Sequence, residues 1–347
     1  MNIGYSFWGF LGEGITDTPD GGRGHRYAWL RELARQGHTI VNLQQDRDAT
    51  EAHDLSFQAF FEWDCASTPS IDLLFLEWRW PIPGRNVGIA CGEPGHTCDL
   101  HRQDELLKSY TYRRGTPTLI WDKDLRLPLN SPIRRLPNVQ VAETAWRPRV
   151  GSFRLQIPVS QDALTQARYR AKEERPEDRD ISLLYVGNQY ERDDRFNEYF
   201  AIPALTTPHH YVVGKWTQTS NWPWVTFQGR RAFRESMQFY ERALATVALL
   251  PPRYEKVGQT TQRVAEAVTR GCVALVPRSV ASADRITPPE LLVSRGAAVN
   301  ERIAKIRAMP VLDYQDLRLR AIDLLEPLQT AVQYQNLVEN CRWFSDG

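Results

Sequence analysis

The sequence has no long apolar run: the longest stretch, near Ile71–Leu76, is far too short to cross a bilayer. Its first residues, MNIGYSFW, lack the basic segment followed by an apolar segment that marks a secretory signal. Only five cysteines are scattered along the chain, an odd number that favours a reducing compartment over a disulfide framework. We therefore expect a cytoplasmic protein that does not bind membranes.

Lysine is also scarce, because 37 of the 43 basic residues are arginines, the better bidentate ligands of phosphate. The net charge is only +1, but it is unevenly distributed. Residues 1–112 carry 9 basic and 16 acidic side chains, whereas residues 113–154 carry 9 and 3. The basic segment 113–154 predicts a local surface that binds a polyanion; the alternative is a solvated loop region.

Short apolar runs alternate with amphipathic stretches, which is typical of an α/β protein, and 347 residues suggest two domains. We predict a first domain over 1–165, a charged linker over 166–180 and a second domain over 181–325, followed by a helical segment over 326–347. Two parallel sheets with a cleft between them are expected, with ligands beyond the carboxyl ends of the strands.

Two motifs in the second half are suited to a nucleotide. Gly187 ends an apolar run and is followed by Arg192 and Arg195, which could clamp a diphosphate. Arg263 and Glu266 lie three residues apart on a predicted helix, and a carboxylate can accept both hydroxyls of a ribose. The alternatives are a surface turn with ordinary ion pairs and an exposed Arg–Glu pair.

The segment TLIWDKDLRLP carries two carboxylates, Asp122 and Asp124, at the end of an apolar run, with Arg126 close behind. A carboxylate at such a strand end can act as a general base. The Asp-x-Asp pair could instead hold a metal-bound nucleotide sugar, and a purely structural turn is equally compatible with the pattern.

Two further groups are ambiguous. Cys91, His96, Cys98 and His101 are all zinc-ligand types, but their spacing matches no standard finger, so a loop in which they never converge is favoured and no metal is predicted. The tryptophans at 216, 222 and 224 could stack on a base, although buried packing is favoured.

Taken in order, these segments resemble the bacteriophage DNA beta-glucosyltransferases, which add glucose to hydroxymethylcytosine in duplex DNA. The resemblance is carried by LIWDKDLRLPL at 119–129, LLYVGNQYERDDR at 183–195, VTFQGR at 225–230 and QRVAEAVTRGCVALV at 262–276. It implies the GT-B fold, with two Rossmann-like domains facing a cleft and a last helix that returns to the first domain.

The resemblance also implies roles for individual residues. Asp124 would be the catalytic base, with His25, Asp122 and Arg126 near the substrate. The UDP-sugar, UDP-glucose favoured, would be held by residues of the second domain: Gly187, Arg192, Arg195, Phe227, Gly229, Arg263 and Glu266. Duplex DNA would contact the basic segment through Arg113, Arg114, Arg134, Arg135, Arg147 and Arg149. His25 differs from the acidic residue that the family has near this point.

The reaction implied is inverting transfer of a sugar to a hydroxymethylated pyrimidine that has been flipped out of the duplex, in the cytoplasm of an infected cell. A divalent cation, Mg²⁺ or Mn²⁺, could assist release of UDP, and a monomer is expected. The alternatives are a GT-B enzyme acting on a cell-surface glycan or small metabolite, and a non-catalytic DNA-binding protein on the same scaffold.

Overall fold

The structure, a computed structural model, describes residues 1–7, 23–43, 61–63, 68–91, 93, 96 and 98–344. It divides the chain into two compact units. The described residues up to Pro158, together with those from Thr330 onward, form the first unit, and Val159–Gln329 form the second.

The first unit is built on a parallel sheet of seven strands in the order β3-β2-β1-β4-β5-β6-β7. The strands are β1 (Asn2–Ser6), β2 (Thr39–Asn42), β3 (Phe61–Trp63), β4 (Leu73–Glu77), β5 (Thr118–Asp122), β6 (Val139–Glu143) and β7 (Ser152–Arg154). The central strands β4 and β5 are buried along their whole length, as expected where helices cover both faces of a parallel sheet. The strand order reverses between β1 and β4.

Within the described residues, the α-helices of this unit are α1 (Arg23–Arg35), α2 (Asp99–Leu106), which continues as a π-helical stretch Leu107–Arg113, and the last helix, α10 (Thr330–Asn340). One face buries Trp29, Phe75 and Trp121, and Leu337 of α10 joins the same core. The C-terminal helix therefore belongs to the first unit, which confirms the predicted return.

The second unit contains a six-stranded parallel sheet in the order β10-β9-β8-β11-β12-β13. Its strands are β8 (Ile181–Val186), β9 (His210–Val213), β10 (Phe227–Gly229), β11 (Ala243–Val247), β12 (Val273–Pro277) and β13 (Leu292–Val293). Its helices are α3 (Gln161–Glu173), α4 (Asp193–Phe196), α5 (Phe233–Arg242), α6 (Pro252–Glu255), α7 (Gln262–Thr269), α8 (Gly296–Arg307) and α9 (Val311–Asp323). A π-helical turn, Asn197–Ala201, extends α4 into Ile202–Ala204.

The predicted linker over 166–180 is wrong. Most of it lies in α3, which buries Leu164, Ala167 and Ala171 and packs against α9. Arg179 is also buried and donates hydrogen bonds to the carbonyls of Tyr240 and Arg270. The high charge of the segment belongs to the exposed side of a helix whose other side is made of small residues. The boundary between the units lies instead after Pro158.

The α/β class and the pair of parallel sheets are confirmed. In the part of the chain that the structure describes, no helix combines the length and the apolar character needed to cross a membrane.

Candidate nucleotide and acceptor sites

The strand order of the second sheet reverses between β8 and β11, and the carboxyl end of β8 is where the first predicted motif lies. Gly187 follows β8 directly and donates its N–H to the carbonyl of Val213. A Cβ on Gly187 would stand 2.7 Å from the hydroxyl of Tyr185 and 3.1 Å from the guanidinium carbon of Arg263. A side chain at this position would therefore displace Tyr185 and Arg263 from the backbone at this strand end.

Arg263 lies in the first turn of α7, where the helix dipole favours an anion. It forms no hydrogen bond or ion pair with any other described residue. Its charge is therefore available to a ligand at the point where parallel α/β sheets usually bind one.

Glu266 lies one turn further along α7; the residue is half-buried, and its Oε1 atom is buried in the neighbourhood of Arg263 and Tyr240. Its Oε1 atom accepts no hydrogen bond from any of the residues described. Burial raises the pKa of Glu266 to about 7, although Arg263 and Arg270 act in the opposite direction. A buried acceptor without a donor is rare in folded proteins and suggests that a ligand supplies the missing hydroxyls.

The two predicted diphosphate arginines are both engaged within the protein. Arg192 is buried and donates to the hydroxyl of Tyr185 at 2.6 Å and to the carbonyl of Leu249 at 3.3 Å. Arg195 is half-buried and paired with Glu255 at 2.7 Å. The structure thus brings Arg192 to Tyr185, beside Gly187 and Arg263, and holds Arg195 against α6.

An aromatic cluster flanks the same strand end. Phe227 of β10 is half-buried against Phe196 and Trp216, and Gly229 ends that strand with a positive φ of 69°. The indole of Trp216 donates to the carbonyl of Gly187 at 2.7 Å. Trp222 is buried in the core, so its packing role is confirmed, whereas half-buried Trp216 adjoins the candidate nucleotide site.

In the first sheet, Asp122 is fully buried at the end of β5 and serves the local backbone. Its carboxylate accepts the N–H groups of Arg126 and Leu127 at 2.9 and 2.8 Å and pairs with Arg149 at 2.7 Å. Burial raises the pKa of Asp122, whereas these donors lower it. Both oxygens are occupied, which removes the interpretation of Asp122 and Asp124 as a metal-binding pair.

Asp124 lies at the tip of the turn that Asp122 holds, and its side chain is half-buried. The next residue, Leu125, has a positive φ of 55°, a strained conformation for a leucine. Arg126 follows and places its guanidinium 5.9 Å from the ring centre of Trp80. Asp124 is thus partly accessible on a turn that is held in one conformation.

A second buried carboxylate, Glu77, lies at the carboxyl end of β4, where the strand order reverses. It accepts hydrogen bonds from Tyr5 at 2.8 Å, Arg26 at 2.7 Å and Lys123 at 2.6 Å. Although burial alone would raise the pKa of Glu77, Arg26 and Lys123 hold it well below its usual range. His25, predicted to contact substrate, is buried beside this group with its ring 5.6 Å from Trp121.

The six arginines predicted to contact DNA do not share one surface. Arg134 and Arg149 bind Glu143 inside the protein, with Arg134 also bonded to Ser152. Arg113 and Arg114 end the helical stretch that leads into β5, so they lie at the amino-terminal edge of the sheet, about 15 Å or more from its carboxyl edge. Arg135 and Arg147 are exposed.

Three of the zinc-ligand types, Cys91, His96 and Cys98, do converge, contrary to the expectation from their spacing, and His101 lies beside Cys91. The Sγ atom of Cys91 lies 2.9 Å from Nδ1 of His101 and 3.9 Å from Nε2 of His96. Nδ1 of His96 lies 3.0 Å from Sγ of Cys98.

Three buried groups at the strand ends were not predicted from the sequence: Glu77, Glu143 and Tyr185. The signal that selected Asp122, a carboxylate that ends an apolar run, is equally present in LLFLE and VQVAE. Tyr185 lies inside an apolar run and had no such signal.

Comparison with known proteins supports the fold. No protein-family model matches the chain, and no curated protein matches its sequence. Among solved structures, T4 phage beta-glucosyltransferase with UDP and Mn²⁺ is 13% identical, with a TM-score of 0.62 over 97% of this chain and 99% of that chain. The structure of Anabaena HepE in complex with UDP-glucose is 9% identical, with a TM-score of 0.57 over 98% of both chains. AviGT4, a glycosyltransferase of avilamycin A biosynthesis, is 13% identical, with a TM-score of 0.57 over 97% and 96%.

These similarities place the chain in a fold class before any activity is considered. The chain has the GT-B fold, as the sequence resemblance implies. T4 phage beta-glucosyltransferase is one of the structures with this fold to which it is similar along nearly its whole length.

The ion pairs of Arg149 with Asp122 and Glu143 predict that this arginine stabilises the folded protein. Arg149→Ala removes a partner from Asp122 and Glu143, two fully buried carboxylates, and should lower the free energy of unfolding by about 1–3 kcal/mol. Arg147→Ala removes an exposed arginine two residues away and should change it by less than about 0.5 kcal/mol. Urea unfolding of both variants measures the difference. Equal stability of the two variants would contradict the structural role of Arg149.

Proposed function

We propose that this protein is a UDP-sugar-dependent glycosyltransferase that moves a sugar, glucose favoured, to a hydroxymethylated pyrimidine in duplex DNA. The observation that carries the proposal is the unpaired Arg263–Glu266 pair at the switch point of the second sheet. UDP and UDP-glucose are bound by the solved structures to which the chain is similar, which supports the same donor here.

In this proposal, the ribose hydroxyls donate to the buried Glu266 carboxylate and the diphosphate lies against Arg263 and the N–H groups beside Gly187. Arg192 reaches the diphosphate together with Tyr185, to which it is bonded. Arg195 contributes less to binding of the diphosphate, because Glu255 already neutralises its charge. The uracil ring of UDP lies along Phe227–Gly229, with Trp216 as a neighbouring aromatic surface.

Asp124 is the proposed general base. It takes the proton of the acceptor hydroxymethyl group while the hydroxyl oxygen attacks the anomeric carbon from the face opposite UDP. The bond from that carbon to the diphosphate oxygen breaks, and Arg263 and Arg192 stabilise the charge left on UDP. A divalent cation could assist release of UDP.

The acceptor assignment rests on the arginines at the carboxyl edge of the first sheet, where Asp124 lies. Arg147 follows β6 and Arg154 ends β7, and both are exposed. DNA phosphates bound by these arginines would lie on the same edge of the sheet as Asp124, the proposed catalytic base. Flipping of the modified pyrimidine out of the duplex would then bring its hydroxymethyl group within reach of Asp124. Arg113 and Arg114, at the other edge, are left out of the proposed DNA surface.

A GT-B enzyme acting on a glycan or a small metabolite is the second candidate. It is favoured by the similarity to AviGT4, a glycosyltransferase of antibiotic biosynthesis. Incubation with UDP-sugars and duplexes that carry hydroxymethylcytosine or hydroxymethyluracil, read by nucleoside mass spectrometry, tests the choice. Hydrolysis of UDP-glucose without any modified nucleoside would favour this second candidate.

The first functional prediction concerns UDP. Glu266→Ala and Arg263→Ala should each weaken UDP binding by about 1–3 kcal/mol, because each leaves polar groups of the nucleotide without a partner. Calorimetric titration measures the affinity. Glu177→Ala and Arg278→Ala, which remove exposed side chains of the same types, are the matched controls and should bind UDP normally.

The raised pKa of Glu266 also predicts how the folding stability of the protein depends on pH. A carboxyl whose pKa rises from 4.5 to about 7 on folding binds more protons in the folded state, so stability falls as the pH rises through that interval. Glu266→Gln should therefore be more stable than the parent above pH 7 and lose this advantage toward pH 4.5. A variant that weakens UDP binding and also loses stability above pH 7 would assign Glu266 to the core instead.

The second functional prediction concerns Asp124, the proposed general base. Asp124→Asn keeps the size of the side chain but removes the proton acceptor, so single-turnover transfer should fall by about 10²–10⁴-fold while UDP binding stays unchanged. Asp104→Asn, at an exposed acid on α2, is the control. A near-normal rate for Asp124→Asn would exclude it as the base.

The third functional prediction concerns DNA. Arg147→Ala should lower the slope of log affinity against log salt by about one, because one phosphate contact is lost. Arg113→Ala removes an equally exposed arginine from the opposite edge of the sheet and should leave the slope unchanged. Filter binding to a modified duplex at several salt concentrations measures both, and the reverse pattern would place DNA at the other edge.

A further inference from the structure

The loop between β4 and α2 gathers four side chains that the proposed transferase reaction does not use. They are Cys91, His96, Cys98 and His101, and they cover only eleven residues of sequence. Ligand atoms of the first three lie within 4.8 Å of one another, and His101 lies 2.9 Å from Cys91. Two thiols and two imidazoles form one of the usual ligand sets of structural zinc.

The distances are close to those that a tetrahedral zinc ion requires. Zinc–sulfur bonds of 2.3 Å and zinc–nitrogen bonds of 2.0–2.1 Å place neighbouring ligand atoms about 3.3–3.8 Å apart. With one ligand atom taken from each residue, Sγ of Cys91 lies 2.9 Å from Nδ1 of His101 and 3.9 Å from Nε2 of His96, and the ligand atoms of Cys91, His96 and Cys98 all lie within 4.8 Å of one another. Shifts of about 1 Å would bring Cys91, His96 and Cys98 to the required spacing, and a larger rotation of the His101 side chain would bring it in as the fourth ligand.

The backbone also favours a fixed arrangement. Cys98 precedes α2 with a positive φ of 54°, an uncommon conformation for a cysteine. Its side chain makes no capping hydrogen bond to the helix that it precedes. Nδ1 of His96 lies 3.0 Å from this thiol and accepts the N–H of Cys98 at 3.2 Å, so Nε2 of His96, which faces Cys91, is the nitrogen that can bind an ion.

The part of the loop that follows β4 is already held against the start of α2. Asp99, buried at the start of α2, binds Arg79 and Asn86, and Asn86 in turn binds the carbonyl of Trp80. Trp80 contacts Arg126 on the turn that carries Asp124. An ion bound to the four ligands would therefore fix the second end of a loop that borders the proposed acceptor site.

We propose that Cys91, His96, Cys98 and His101 bind one structural Zn²⁺ ion, which holds the β4–α2 loop against the start of α2. The assignment is independent of the proposed transferase activity, because it rests only on the ligand set and its geometry.

The test begins with the full-length protein after removal of metal by a chelator. Titration with Co²⁺ should give the visible bands of a tetrahedral complex and a near-ultraviolet thiolate charge-transfer band, both saturating at one ion per chain and both displaced by Zn²⁺. Bands that lack the thiolate transition, or no saturable binding of Co²⁺ and Zn²⁺, would overturn the proposal. A disulfide between Cys91 and Cys98, found by mass spectrometry in protein prepared under reducing conditions, would also overturn it.

Variants identify the ligands. Cys98→Ser and His101→Ala should each lose the bound ion, measured by elemental mass spectrometry, and lose or shift the cobalt spectrum. Cys272→Ala is the matched control, because Cys272 is buried in the second unit and burial raises its pKa to about 12. Circular dichroism shows whether each variant is folded, and a folded Cys98→Ser variant that still binds one Zn²⁺ through a thiolate would contradict the ligand set.

Discussion

Much of the structure depends on one constraint: a carboxylate buried at the end of a parallel strand must be given donors. Removing one charge from water costs several kcal/mol, and only close, well-placed partners offset that cost. Glu77, Asp122 and Glu143 end three adjacent strands of the first sheet and are all paired. These pairings hold the loops at the carboxyl edge, including the turn on which Asp124 lies.

In the second sheet, one buried carboxyl oxygen has no hydrogen-bond donor of this kind among the described residues. Glu266 is half-buried near Arg263, and its buried Oε1 atom has no donor in the part of the chain that the structure describes. Burial therefore shifts the proton equilibrium instead, and the pKa of the carboxyl rises to about 7. An arginine and a glutamate left without hydrogen bonds at a topological switch point are costly to keep unless a ligand completes them. The nucleotide assignment rests on this difference between the two sheets.

The sequence predicted the alternating α/β pattern well, because buried strands such as TLIW and LLFLE are apolar along their whole length. The predicted domain boundary was misplaced, because high charge alone does not distinguish a linker from a helix with one exposed side. The sequence-based prediction also treated the arginines of segment 113–154 as one group. Which of them face inward depends on carboxylates far away in sequence, such as Glu143 for Arg134, and a pattern of local charge contains no such information. The Cys/His group was underestimated for a similar reason, since irregular spacing can be compensated by a bent loop.

The central claim is that Glu266 is an unpaired, desolvated carboxyl that a nucleotide completes. The most direct measurement is a carbon-detected NMR titration of its carboxyl group, with and without UDP, assigned by comparison with Glu266→Gln. A midpoint near 7 in the free protein is expected, and it should move to lower pH when UDP is added, because hydroxyl donors stabilise the ionised form. A midpoint near 4.5 that does not respond to UDP would contradict the account.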